Sequence, residues 1–340
     1  MKTFLVHHRT SHHAHYSGYA RLIDFIADAQ VLEGKTQLPY RVAQWLGKQA
    51  SNDAGLYNSS SVQKEIEIFR GLRKAPQNET SIVHYLNAER DIRYVIKFFS
   101  RAERIRFCAS FHKPPAILKE RIPITKHLKQ LHGAICVGYN QVEFIQNWLD
   151  LEKVRYIPHG VDIEFFKPAV SIPKAPRLLF VGQHLRDFDM LQHCLPVLLA
   201  AMPDLQVDIV SGKQAQELIS AHCRIHFHKQ VNDDQLLALY QQASLLFLPL
   251  VDATACNSIL EGLACGLPIV TSSVGGNPKY LEGTENLLCD SATAFIEGTL
   301  DLLQSESKLT QLGAASRQKA LDYSWTEVAA QIKDFYRTLV

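Results

Sequence analysis

The chain has 340 residues, too many for one ordinary core and enough for two domains of roughly 150 residues each, which implies a cleft between them. Hydrophobic residues make up 46% and charged residues 21%, a globular balance that excludes a disordered or fibrous protein. Net charge is only +2, but residues 1–165 carry 23 Lys and Arg against 16 Asp and Glu, and residues 166–340 carry 13 against 18, so the halves stand at +7 and −5.

That asymmetry leaves two readings open: a first half that faces something anionic, such as a membrane surface or a phosphorylated acceptor, or simply solvated faces. The first apolar stretch, Phe4 to Val6, stops at His7 and His8, which is not the pattern of a secretory signal. No run approaches the ~20 apolar residues of a membrane span. The seven cysteines are scattered, mostly among apolar neighbours and without a CxxC pair, as expected of small core residues in a reducing, cytoplasmic setting.

Short apolar runs alternate with helical patterns, the signature of parallel sheets covered by crossover helices. In the first half the expected strands are 3–8, 81–85, 105–111, 134–137 and 155–157. Helices are expected at 19–29, 62–72, 91–102 and 141–151. The helix at 91–102 and its flanks carry Arg90, Arg93, Lys97, Arg101 and Arg104 at three- and four-residue steps, a basic stripe that fits a solvated outer face or contact with an anionic membrane.

Three prolines in residues 167–176 suppress regular structure and mark a linker. It separates a domain over 1–166 from one over 177–322, followed by a closing element over 323–340. In the second half the expected strands are 178–181, 206–210, 224–227, 245–248, 268–271 and 286–289. Helices are expected at 187–201, 214–221, 233–243 and 258–265. Two doubly wound α/β domains follow, and such sheets bind ligands beyond the carboxyl ends of their strands.

The most informative stretch runs from Leu248 to Val270. A buried strand enters a small-residue loop and then a helix opening near Asn257 or Ser258, whose free N–H groups suit a diphosphate. One turn on, Glu261 has the chemistry to accept hydrogen bonds from vicinal ribose hydroxyls. A plain strand–loop–helix with a polar start is the competing reading. In the first half, Ser17-Gly18-Tyr19 opens a helix, and Gly18 permits close backbone approach to a phosphate or an acceptor.

The segment Ile259–Val270 resembles the donor-site helix of GT-B glycosyltransferases of the retaining family 4, the glycosyl transferases group 1. Lys153–Pro168 looks like that family's interdomain strand and turn, and Leu178–Gly182 like its first C-domain strand. Val231–Ala243 and Tyr323-Ser324-Trp325 with the helix that follows also match. The resemblance implies a GT-B architecture: two Rossmann-like domains facing a cleft, an acceptor side first, a nucleotide-sugar domain second, and a last helix, Trp325–Leu339, crossing back to the first.

It also implies transfer of a glycosyl unit from a nucleoside diphosphate sugar to a hydroxyl acceptor, saccharide or lipid-linked, with retention. No cofactor or metal is implied beyond the sugar nucleotide. Glu261 would hold the ribose, and Arg186, with His184, the diphosphate, aided by the amides near Asn257 and Ser258. His112, at the end of a buried strand, matches a family histidine near the donor sugar. Gly18 matches the phosphate-contacting loop of the first domain.

Two departures are visible. A Glu that the family places eight positions before Glu261 is Ala253 here, with Asp252 its only acidic neighbour. The family's Arg and Lys after the first C-domain strand are represented by His184 and Arg186 alone. Asp187 and Asp189 have the spacing of a metal-binding DxD, but they read better as a helix cap and first turn. Five histidines between His7 and His15 read as a wet loop more readily than as a metal site. The basic stripe lacks interleaved aromatics, so nucleic acid is not an expected partner. A catalytically silent partner subunit and a sugar-nucleotide epimerase or hydrolase remain as alternatives.

Overall fold

A computed structural model describes residues 1–7, 16–35, 37–51, 56–169 and 175–340. The histidine-rich stretch 8–15 and residues 170–174 of the expected linker lie outside these. The chain forms two compact units. The described residues of the first are 1–7, 19–35, 37–51, 56–158 and 326–340, and those of the second are 16–18, 159–169 and 175–325.

The first unit is built on a six-stranded parallel sheet of β1 (Lys2–Val6), β2 (Gln30–Leu32), β3 (Ser81–Tyr85), β4 (Ile105–Phe111), β5 (Gly133–Cys136) and β6 (Val154–Tyr156). The order is β2-β1-β3-β4-β5-β6, with Phe4 opposite Val83 and Val83 opposite Phe107. Every residue of β3 is buried, as a central parallel strand covered on both faces requires. Strand β2 was not expected from sequence. Its three edge residues show no alternation to read.

The C-terminal helix Trp325–Leu339 packs on this sheet from Thr326 onward. A Cβ at Gly133 would lie 2.7 Å from Leu339 and from the Phe335 ring, so the bare backbone of β5 is what lets the helix approach. The hydroxyl of Tyr336 lies 2.6 Å from His84 Nδ1, His84 Nε2 lies 2.8 Å from Ser110 Oγ, and that oxygen is 2.9 Å from the Tyr19 hydroxyl. Burial holds the His84 imidazole down at about 3.

The sign of this shift is definite. In the unfolded chain His84 takes up a proton below about 6.5 and in the folded chain it does not, so stability is intact above that pH and falls as acid is added. The first unit should lose about 2 kcal/mol between pH 6.5 and 5 from this group, at 1.36 kcal/mol per pH unit. Denaturant titrations of the chain and of His84→Gln should show the slope in the first and a flatter profile in the second. Equal slopes would dismiss His84 as the source.

The expected helix over 91–102 is not formed. Only Val95–Phe98 is helical. The carboxylate of Asp91 is buried against Lys64 Nζ and Ser61 Oγ, both at 2.8 Å. Glu65 Oε1 accepts from the amides of Arg93, Tyr94 and Val95 at 3.0, 2.7 and 3.1 Å. These side chains tie the segment to the helix Ser59–Lys74, and the helix begins only after them. Arg90, Arg93, Lys97, Arg101 and Arg104 therefore do not share one helix face.

The second unit carries β7 (Arg177–Val181), β8 (Gln206–Val210), β9 (Ile225–His228), β10 (Leu245–Leu248), β11 (Ile269–Ser272) and β12 (Leu287–Cys289), all parallel in the order β12-β11-β10-β7-β8-β9. The chain runs outward from β7 through β8 to β9, then returns to the other side of β7 as β10. The strand order thus reverses between β7 and β10, the position at which such sheets bind ligands. Helices Ala292–Leu303 and Glu306–Leu321, not expected from sequence, complete the cover with Phe188–Ala201 and Asn257–Ala264. Among the described residues no helix is long and apolar enough to cross a membrane.

Candidate functional site

The two loops at the reversal point are held to each other. The amide of Asp187 donates to Pro249 O at 3.0 Å and that of Val251 to Leu185 O at 3.1 Å. Arg186 sits between them. Its Nε donates to Val181 O (2.8 Å), Nη1 to His184 O (3.0 Å) and Nη2 to Ser258 Oγ (3.1 Å). The guanidinium is half-buried, and these three bonds occupy three of its five N–H donors. Gly182, at φ +104°, makes room for it: a Cβ there would lie 2.5 Å from Nη2. Gly182→Ala should therefore displace Arg186 and weaken anion binding roughly tenfold, about the worth of one charge-assisted hydrogen bond, in a chain that still folds. Unchanged binding would show that the guanidinium's position does not matter.

Ser258 belongs to the first turn of the helix Asn257–Ala264, on which Asn257 is half-buried. Helices Phe188–Ala201, Asp233–Gln242, Ala292–Leu303 and Glu306–Leu321 are each capped by a side chain: Asp187, Asn232, Ser291 and Ser305. The helix at Asn257 has Cys256 as its N-cap and no side-chain cap. Its opening amides therefore have no side-chain partner from the N-cap, and a helix N-terminus of this kind favours negative charge. Asp187 is spent on the Met190 amide at 2.8 Å, the capping role its sequence position suggested.

One turn along, Glu261 is buried, and both carboxylate oxygens are engaged. Ser17 Oγ donates to Oε1 at 2.5 Å and the Tyr240 hydroxyl to Oε2 at 2.8 Å. Burial raises the carboxyl pKa, opposed by these two bonds and by the Arg186 charge. Ser17 is placed by its neighbour: the Tyr16 ring stacks on Phe165 at 3.9 Å, and the Tyr16 amide donates to Asp233 Oδ2 at 3.2 Å. Gly18 follows at φ +90°. Asp252 turns its carboxylate onto the Ala253 amide at 2.7 Å, and Ala253 is buried with its carbonyl accepting from Gly276. His184 is exposed and contributes its carbonyl to Arg186.

Beside Gly182 opens a cavity of about 560 Å³ at the carboxyl ends of β7, β8 and β9, the size range of small-ligand sites. Val181, Val210, Val231 and Leu236 give it apolar walls, and Lys213, His228 and Lys229 polar ones. His228 is anchored by Asp208, whose Oδ1 lies 2.7 Å from Nε2 and whose Oδ2 accepts from Arg177 at 2.6 Å. Sequence reading missed this wall. Its residues come from three separate loops with no shared local pattern, and only the rule that ligands gather beyond strand ends pointed there.

His112 belongs to the first unit. Its amide donates to Glu89 Oε1 at 2.8 Å, its Nε2–H donates to Leu86 O at 2.8 Å, and Tyr19 meets its ring edge-on at 4.6 Å. Burial lowers its pKa. Glu89, buried and also accepting from the Lys113 amide, was not singled out from the sequence. Among the described residues no group of three or more His, Cys, Asp or Glu side chains is arranged to hold a metal ion.

Residues 175–305 match the family described as Glycosyl transferases group 1. The chain is 25% identical over 232 residues to a D-inositol 3-phosphate glycosyltransferase of Corynebacterium urealyticum, covering 58% of this chain and 55% of that protein. It is 26% identical over 204 residues to a phosphatidyl-myo-inositol mannosyltransferase of Mycobacterium tuberculosis, covering 54% and 53%. These matches span about half the length of the relatives. A sucrose-phosphate synthase structure from Thermosynechococcus elongatus superposes with a TM-score of 0.71 at 17% identity, covering 99% of this chain and 98% of that one, which shows a shared fold. Over residues 175–305 the chain is thus similar to the glycosyl transferases group 1 family, within a two-unit α/β fold of the GT-B kind.

Proposed function

We propose that this protein is a glycosyltransferase that moves a sugar from a nucleoside diphosphate sugar to a hydroxyl acceptor, with retention. The observation that carries the reading is the uncapped helix end at Asn257 with the Arg186 guanidinium on Ser258, at the strand-order reversal and beside the 560 Å³ cavity. An apolar-walled cavity suits a nucleoside, and a guanidinium with converging amides suits the diphosphate. Glu261 would take ribose hydroxyls in place of, or alongside, the Ser17 hydroxyl. His112 would contact the sugar.

The chemistry asked of these groups is positioning and stabilisation of the departing diphosphate charge, which needs no covalent nucleophile. Arg186 and the amides supply that charge stabilisation themselves, so turnover should persist unchanged in chelator. Full and reversible loss in chelator would contradict this. The names of the two inositol-linked relatives support an acceptor that is a polyol or its lipid conjugate. Incubation with uridine, guanosine and adenosine diphosphate sugars and such acceptors should give a glycosylated product with one donor base.

A second reading is favoured by one feature: Ala253 stands where the resembled family has a Glu, so a carboxylate beside the donor sugar is missing. A silent partner subunit would bind donor without turnover across that panel.

A further inference from the structure

Side chains two residues apart on a strand share one face of the sheet. In the register of β8 and β9, Asp208 stands opposite His226 and Val210 opposite His228, so Asp208, Val210 and His228 lie on the same face. Val210 and His228 line the cavity beside Gly182, and Asp208 is buried. The imidazole of His228 is 31% exposed.

Arg177 Nη1 donates to Asp208 Oδ2 at 2.6 Å, and Asp208 Oδ1 lies 2.7 Å from His228 Nε2. A carboxylate in that place only accepts, so in the neutral ring Nε2 carries the hydrogen and Nδ1 keeps its lone pair. Nδ1 is accessible and makes no hydrogen bond to any described residue. His228 thus offers the cavity an acceptor whose tautomer is fixed by the Asp208 carboxylate. Lys213 and Lys229 on the cavity wall are donors only. Ser211 and Gln230, which also line it, serve either way and set no polarity.

Nucleobases divide by the polarity of the edge such groups would read. Uracil, guanine and hypoxanthine carry a ring N–H beside a carbonyl. Cytosine and adenine carry a ring lone pair beside an amino group. Nδ1 meets the first edge with a hydrogen bond and the second with lone pair against lone pair, and the lysines favour the carbonyl over the amino group.

We propose that His228, oriented by Asp208, selects sugar-nucleotide donors whose base has a ring N–H beside a carbonyl, as in uracil and guanine, and rejects cytosine and adenine. The selection rests on the nucleoside diphosphate reading of this cavity and adds the class of base. Arg186 and the uncapped helix end do not decide that class, because their chemistry suits phosphate. Asp208 acts through His228 and is a positioning residue.

The test is calorimetric binding of two pairs of nucleoside diphosphates, at about pH 8, above the ordinary imidazole range. Uridine against cytidine and inosine against adenosine diphosphate each keep the ring shape and invert this edge. For the ring size that fits, the first of the pair should bind at least about tenfold tighter, the effect of one hydrogen bond gained against one repulsion. His228→Ala should bring the two within about twofold by weakening the preferred one. In Asp208→Asn, Arg177 still requires an acceptor, so the amide oxygen stays with it and the amide NH2 faces Nε2. Nε2 must then accept, the hydrogen moves to Nδ1, and preference should shift about tenfold or more toward cytidine or adenosine diphosphate. A purely structural role would weaken both of a pair alike and leave their ratio unchanged. His228 is half-exposed, so its replacement carries the test alone if the buried Asp208→Asn does not fold. Equal binding within each pair, preference for cytidine or adenosine diphosphate in the parent, or a ratio that His228→Ala leaves intact would overturn the proposal and leave the donor site standing. Binding of none of the four would overturn the donor site and the base selection together.

Discussion

Arg186→Ala should lower affinity for a nucleoside diphosphate roughly a hundredfold and turnover by 10²–10³, the effect of removing a preorganised donor aimed at developing charge. Each charge-assisted hydrogen bond to phosphate contributes about 1.5–3 kcal/mol, and a guanidinium makes two in bidentate geometry. The same side chain bridges Val181 O, His184 O and Ser258 Oγ, so part of the loss would come from slackening the loop after β7. Arg186→Lys separates the two contributions. It keeps the charge and loses the planar fork, so an intermediate loss of about tenfold is expected. Full donor affinity in a folded Arg186→Ala protein would remove the guanidinium from the diphosphate site.

Glu261→Gln should weaken donor binding by about 1.5–3 kcal/mol, the range for a hydrogen bond to a charged group. The pH dependence has a definite direction. Burial raises the folded carboxyl above its unfolded value, so the folded state holds its proton to higher pH than the unfolded state does. Stability therefore declines as pH rises through that raised pKa, and the neutral glutamine removes this penalty. Donor binding runs the other way, because ribose hydroxyls prefer the ionised acceptor. Affinity of the parent should fall as acid protonates Glu261, and that of Glu261→Gln should stay flat. Parallel pH profiles for the two proteins would sink the ribose role. Tyr240→Phe should reproduce part of the loss, since the Tyr240 hydroxyl fixes Oε2 at 2.8 Å.

The alternation of buried apolar runs made the two parallel sheets readable, because strands covered on both faces leave unbroken Val, Ile, Leu and Phe segments such as Leu245–Leu248. Asp187 as a cap was equally readable, since capping is local, whereas Trp325 as the first residue of the last helix was expected only from the family resemblance. The region 91–102 misled because its helical spacing is real in the sequence, yet Glu65 and Lys64 from another helix bind its start. No local pattern reports a competitor some thirty residues away.

The donor-site candidates divide along the same line. Ser258 and Glu261 were found because they stand at the opening and one turn along a helix that follows a strand, and Arg186 because the resembled family places a basic residue after its first C-domain strand. The contacts that define them are long-range: Ser17 to Glu261 spans 244 positions and Arg186 to Ser258 spans 72. The cavity wall at Lys213, His228 and Lys229 exists only once β7, β8 and β9 are side by side. Spacing along the chain carries no trace of it.

Equilibrium binding of uridine, guanosine and adenosine diphosphates to the whole chain, measured by calorimetry with and without chelator, tests the donor site most directly. The account predicts saturable one-site binding of one of the three, tighter than its monophosphate, unaffected by chelator and lost on replacing Arg186 with Ala. Absence of saturable binding for all three, or binding that Arg186→Ala leaves intact, would contradict it.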